Sequence, residues 1–159
     1  MPEKPKGPGS VRNRAISRGV RWRRSQGNDI RIGYQFYHRL LTGDPPDQAA
    51  RAQEWPGRCL QRGDRPRVSD LVAVETYLAL QSHYRVPKAE ALLALRKILE
   101  SGDVEPAGCA LEVLRNTPNI ANANPGFVDR IIHAEIRSYG GRLLTFEKAA
   151  TKLPATKVL

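Results

Sequence analysis

Val68-Ser69-Asp70-Leu71-Val72-Ala73-Val74-Glu75-Thr76-Tyr77-Leu78 is the stretch on which the fold turns. Ser69 is a preferred N-cap, because its hydroxyl accepts a hydrogen bond from a backbone N–H that the first helical turn leaves free. A helix is therefore expected from Ser69 to about Tyr84. Leu71, Val74 and Leu78 recur at intervals of three and four, so they are expected to form its inward stripe. Glu75 lies four residues after Leu71 and three before Leu78, which puts a carboxylate on the same stripe. An unpaired carboxylate is costly to bury. Glu75 is thus either a salt-bridged or snorkelling side chain at the edge of the stripe, or a metal ligand.

The pattern continues on both sides. Pro87 suits the first turn of a helix from Lys88 to Leu99, with Leu92, Leu95 and Leu99 inward. Val104 is a short strand candidate, and Ala107 to Arg115 reads as helical. Residues Asn116 to Gly126 form a loop rich in Pro and Asn. A helix from Phe127 to Tyr139 follows, with Val128, Ile132 and Ile136 in register, ended by Gly140-Gly141. Leu143-Leu144-Thr145-Phe146 is a candidate buried strand and Val158-Leu159 an edge strand. Upstream, Ile30, Ile32 and Tyr34 alternate as in a strand. Phe36 to Leu41 and Asp47 to Trp55 read as helices, the second stopped by Pro56-Gly57. Short apolar strands between amphipathic helices predict an α/β layer fold with a parallel sheet.

Composition fits one domain of 159 residues with 40% hydrophobic residues. No apolar run approaches the roughly 18 residues of a membrane span, and cytoplasmic localisation is expected. Cys59 and Cys109 lie far apart, outside any metal-ligand spacing, and are expected to be reduced thiols. The net charge of +10 is unevenly spread. Residues 1 to 31 hold nine Lys and Arg against Glu3 and Asp29, whereas the remainder holds 17 against 14. Residues 1 to 29, with Arg12, Arg14, Arg18, Arg21, Arg23 and Arg24, are expected to be a disordered basic leader. Either it is a solvated tail or it is a nucleic-acid-binding arm that acts through counterion release.

Three further acidic or basic residues are candidates for chemistry. Asp129 falls in the first turn of its helix, where an acid complements the helix dipole. His133 follows four residues later on the same face, a spacing compatible with a shared metal or with an ordinary pocket histidine. Glu147 directly follows a candidate strand, and α/β folds place ligands at the carboxyl ends of strands. A helix-start role fits it equally. His38 and His83 have no partner pattern.

Four stretches in order resemble the PIN-domain toxins of the VapC type. They are Arg39-Leu-Leu-Thr-Gly-Asp44 with Asp47-Gln-Ala-Ala-Arg51, Val68 to Thr76 leading to Tyr84-Arg-Val-Pro87, Phe127-Val-Asp-Arg-Ile-Ile132, and Gly141-Arg-Leu-Leu-Thr-Phe-Glu147 with Leu153-Pro154. The resemblance spans nearly all of residues 31 to 159. It implies a three-layer α/β/α fold with a short central parallel sheet over residues 30–159. It also implies an Mg²⁺- or Mn²⁺-dependent endoribonuclease acting on RNA, restrained by a cognate antitoxin and often paired as a homodimer. Oxygen ligands suit such ions, which activate water at the scissile phosphate. By position, Glu75, Asp129 and Glu147 would be the catalytic metal ligands, Glu147 standing where the family has Asp.

Two departures weaken that implied site. The family's first strand ends in Asp-x-Asn, and here Gly33 stands at the Asp and Gln35 at the Asn. Asp29 lies roughly 13 Å upstream at about 3.3 Å per residue, at the wrong end of the strand. Gly126 stands where a second acid often precedes Phe127. Metal binding and cleavage are therefore expected to be impaired. The mismatch begins beside the Arg-rich leader, which raises the expectation of a displaced reading frame up to about Tyr37. A non-catalytic module that binds RNA or antitoxin, or a binder acting through its basic arm, are the alternatives.

Overall fold

The computed structural model describes residues 29–159, and the basic segment with the arginines of the expected arm lies outside them. Three parallel strands form one sheet in the order β1–β2–β3: Asp29–Arg31, Arg65–Val68 and Glu105–Pro106. Its register sets Ile30 opposite Pro66 and Val68 opposite Pro106. Helices α1 (Tyr34–Thr42) and α2 (Pro46–Gln61) connect β1 to β2. Helices α3 (Asp70–Ser82) and α4 (Lys88–Glu100) connect β2 to β3. Then come α5 (Ala110–Asn116), a 3-10 turn at Ile120–Asn122 and α6 (Phe127–Ser138). A separate parallel pair closes the chain: β4 (Leu143–Thr145) and β5 (Thr156–Val158), joined through a 3-10 turn at Lys148–Lys152. The fold is mixed α/β with a short parallel sheet, as the alternation of elements leads one to expect.

Local rules account for several boundaries. Ser69 caps α3 by accepting a hydrogen bond from Val72 N at 3.3 Å. Gly43 and Gly140 adopt positive φ at helix ends, where a Cβ would be strained. Gly140 N and Gly141 N donate back to Arg137 and Ile136 carbonyls, closing α6. Leu92, Leu95 and Leu99 of α4 are all buried, as their spacing predicts.

Other boundaries correct the sequence reading. Pro56 does not stop α2, which runs on to Gln61. Pro56 and Cys59 are buried on its far half, so packing offsets the lost backbone hydrogen bond. β2, at Arg65-Pro66-Arg67-Val68, is not announced by any apolar run. Its proline is tolerated for a topological reason. Val68 O accepts from Ala107 N on the β3 side, so by the two-residue period Pro66 faces that side too. Pairing with β3 begins only at Glu105, opposite Arg67, so the missing N–H has no ladder position to fill.

The core joins Ile32, Tyr37, Val68, Ala73, Tyr77, Leu80, Leu92, Leu95, Leu114, Phe127 and Ile131 with smaller neighbours. Tyr77 meets Phe127 edge-on with ring centroids 5.3 Å apart. Ile32 and Tyr37, within the stretch whose reading frame is in question, are fully integrated in that core. The β4–β5 pair is less enclosed than a buried strand would be, with Leu144 and Phe146 exposed.

Candidate functional site

The carboxyl ends of β2 and β3 open onto a groove of about 460 Å³. Ser69, Asp70 and Ala107 form its strand side, and Leu71, Val74 and Ile132 its walls. This apolar surface corrects the inward stripe expected of α3. Leu71 is 68% exposed and Leu78 49%, while Ala73, Thr76, Tyr77 and Leu80 are buried. Glu75 therefore lies on the solvent-facing side of its helix and is exposed. The register of α6 shifts likewise: Phe127, Ile131 and His133 are buried, and Ile132 is 44% exposed.

Asp129 is exposed in the first turn of α6. A Cβ placed on Gly126 would lie 4.0 Å from Asp129 Oδ2 and 3.9 Å from Lys88 Nζ. An acid at position 126 would thus stand between a lysine and Asp129. Glu147 caps the 3-10 turn that follows it, its Oε1 accepting from Ala149 N at 3.0 Å. Its own N–H donates to Thr145 Oγ1 at 3.0 Å. His133 is buried, with Nε2 2.7 Å from Pro154 O. A carbonyl can only accept, so Nε2 carries the proton and ties α6 to the C-terminal segment.

Gly33 follows β1 with φ −81° and ψ 159°, a conformation open to any residue. Among the described residues, nothing lies within 4 Å of a Cβ built there, so an aspartate at 33 would meet neither strain nor a clash with them. Asp29 begins the strand that Gly33 follows, so the two stand at opposite ends of it.

Asp70 carries a structural carboxylate that no spacing along the chain announces. Its Oδ2 accepts from Cys109 N at 2.7 Å and its Oδ1 from Ala110 N at 2.8 Å. The carboxylate thereby joins the start of α3 to the start of α5 across 39 and 40 residues. A Cβ on Gly108 would overlap this carboxylate, so glycine alone fits beside it. The only trace in the sequence is an acid after an N-cap serine and a Gly before Cys109, neither of which specifies the other. Burial, reinforced by Asp70, Glu112 and Glu135, pushes the Cys109 thiol above its ordinary range. Both cysteines are free thiols.

Comparison with protein-family models, with curated proteins and with solved structures finds no match. Among the described residues no three His, Cys, Asp or Glu side chains are grouped as a metal ion requires. Glu147 is engaged as a cap, both oxygens of Asp70 are engaged by backbone N–H groups, and Gly33 offers no donor. Hard divalent ions need several oxygen ligands at once. This donor set does not fit one, so no catalytic step is derived through a metal.

A different cluster lies on the far helices. Phe36 and Trp55 meet edge-on at 5.5 Å, flanked by Arg39 and Arg51. At the other side of α1, His38 packs on Tyr84 with ring centroids 4.7 Å apart. Burial, with the neighbouring charges of Arg39 and His83, holds the His38 imidazole below its ordinary range, and Asp44 opposes that shift.

Proposed function

We propose that this chain is a non-cleaving, PIN-like module that binds RNA in the cytoplasm. In this reading its three-layer α/β/α scaffold is of the metal-dependent ribonuclease type, with the first metal carboxylate replaced by Gly33. The observation that carries the reading is Gly33 itself, which follows β1 where the resemblance puts an aspartate. Two facts support it. The order of strands and helices, with every strand pair parallel, suits that scaffold. Among the described residues, no three His, Cys, Asp or Glu side chains, Glu75 and Glu147 included, are grouped as Mg²⁺ or Mn²⁺ would require.

The test is RNA cleavage in Mg²⁺ or Mn²⁺ by the chain, by Gly33→Asp and by Glu75→Ala. No cleavage by the chain is expected, with RNA binding retained. Cleavage that Glu75→Ala abolishes overturns the reading. Gain of cleavage in Gly33→Asp establishes the position as the lost ligand. A second reading, capture of a protein antitoxin or of a second copy of the chain, is favoured by the exposed Leu71, Leu78 and Ile132. Unrelieved apolar surface of this kind marks protein contacts. Sedimentation of the purified chain distinguishes self-association from a monomer that awaits a partner.

A further inference from the structure

We propose that the cleft between α1 and α2 is the groove in which single-stranded RNA lies, its bases stacked on Trp55 and its phosphates held by Arg39 and Arg51. This rests on the RNA-binding reading above and adds the place and manner of contact. Gln35, Phe36 and Arg39 fall at successive positions of one face of α1. Gln48, Arg51 and Trp55 are spaced by three and four on α2, so they share a face as well. The two faces meet over a cleft of about 390 Å³. Small, buried Ala52 leaves room above its floor.

The chemistry of the lining selects the ligand. Phe36 and Trp55 are half-buried, so part of each ring faces the cleft. Every nucleobase has a π-face, and stacking on aromatic side chains tolerates any sequence. Arg39 Nη1 donates to the neutral Asp44 carbonyl at 2.9 Å, which leaves its positive charge uncancelled by that contact. Arg51 pairs with Asp47 at 2.9 Å, but the two side chains are 74% and 70% exposed. Pairs so exposed are held weakly, and a phosphate can take the carboxylate's place. Gln35 and Gln48 add amide donors and acceptors for base edges. The groove at the carboxyl end of the sheet offers the opposite: an apolar wall without aromatics, flanked by Asp70 and Glu135. Its carboxylates repel phosphate, so the strand is assigned to the α1–α2 cleft.

The chain has two tryptophans, Trp22 and Trp55. In the full chain carrying Trp22→Phe, emission reports on Trp55 alone. An oligouridylate of about 12 nucleotides, within the ~4–16 that single-strand sites span, is titrated while labelled-RNA anisotropy is followed in parallel. Saturable quenching of Trp55 is expected. The double variant Arg39→Gln, Arg51→Gln should bind about tenfold more weakly. Its salt slope should fall by about 1.4, at about 0.7 per phosphate contact on a single strand. Both arginines leave the core intact when replaced, and an unchanged melting curve verifies the fold. RNA binding without quenching, unaffected by the double variant, overturns the groove while the RNA-binding reading stands on the basic segment. No anisotropy change at all overturns both.

Discussion

Helices α3 and α4 are equal in length and packed side by side, yet only one of them declares its buried face. In α4 the leucines at 92, 95 and 99 are opposed by Glu90, Arg96, Lys97 and Glu100, and those leucines are buried. In α3 charge appears only at Asp70 and Glu75. Leu71, Val74 and Leu78 make one apolar stripe, while Ala73, Thr76, Tyr77 and Leu80 make another with the same period. The fold buries the second, against α1, α4 and Phe127. Thr76 is accommodated at 0% exposure because its hydroxyl donates to Val72 O at 2.7 Å. A helix that is apolar nearly all round leaves its orientation to its neighbours, and the leftover stripe becomes surface.

The contrast can be broken by mutation, starting where the effect is largest. Leu95→Ala, at a site 1% exposed, should cost about 2–5 kcal/mol through a core cavity. A loss below about 1 kcal/mol in urea unfolding would show that α4 is not anchored as described. Next is Asp70→Ala, which strips acceptors from Cys109 N and Ala110 N and should cost about 1–3 kcal/mol. Amide exchange at those two residues should accelerate with it. Unchanged protection there would mean the α3–α5 tie is absent.

Tyr37 offers a test in the opposite direction. It lies in α1, packed on α3, at 1% exposure, and its hydroxyl has no hydrogen-bond partner among the described residues. Tyr37→Phe should leave stability unchanged or raise it by about 1 kcal/mol, since the orphaned group costs its desolvation. A clear destabilisation would reveal a partner for that hydroxyl. Leu71→Ala, the counterpart of Leu95→Ala on the exposed stripe, should stay within about 0.5 kcal/mol. A core-sized loss would restore the inward stripe and with it a buried Glu75.

The smallest expected effect is titration at the C-terminal end of α3, where His38 meets Tyr84. Because folding lowers the His38 pKa, the unfolded chain binds the proton more readily. The associated stability is full above the ordinary histidine range near 6.5. It should decline as pH falls through that value towards the folded one. Proton NMR of the His38 ring tests the direction, and His38→Gln should flatten that part of the stability profile. A midpoint above the ordinary range would reverse the sign.

The sequence by itself determined what is local. Ser69 as a cap, Gly140 as a helix end, the buried face of α4 and the α/β class all follow from contacts within a few residues or from strong polarity contrast. Tertiary structure decided everything that depends on what lies opposite. It chose between the two stripes of α3, turned Ile132 outward, and admitted Pro66 to a strand because β3 begins one position too late to need its N–H. It also gave Asp70 a partner 39 residues away. Glu75 reaches the surface because only the other of two equally periodic faces is buried.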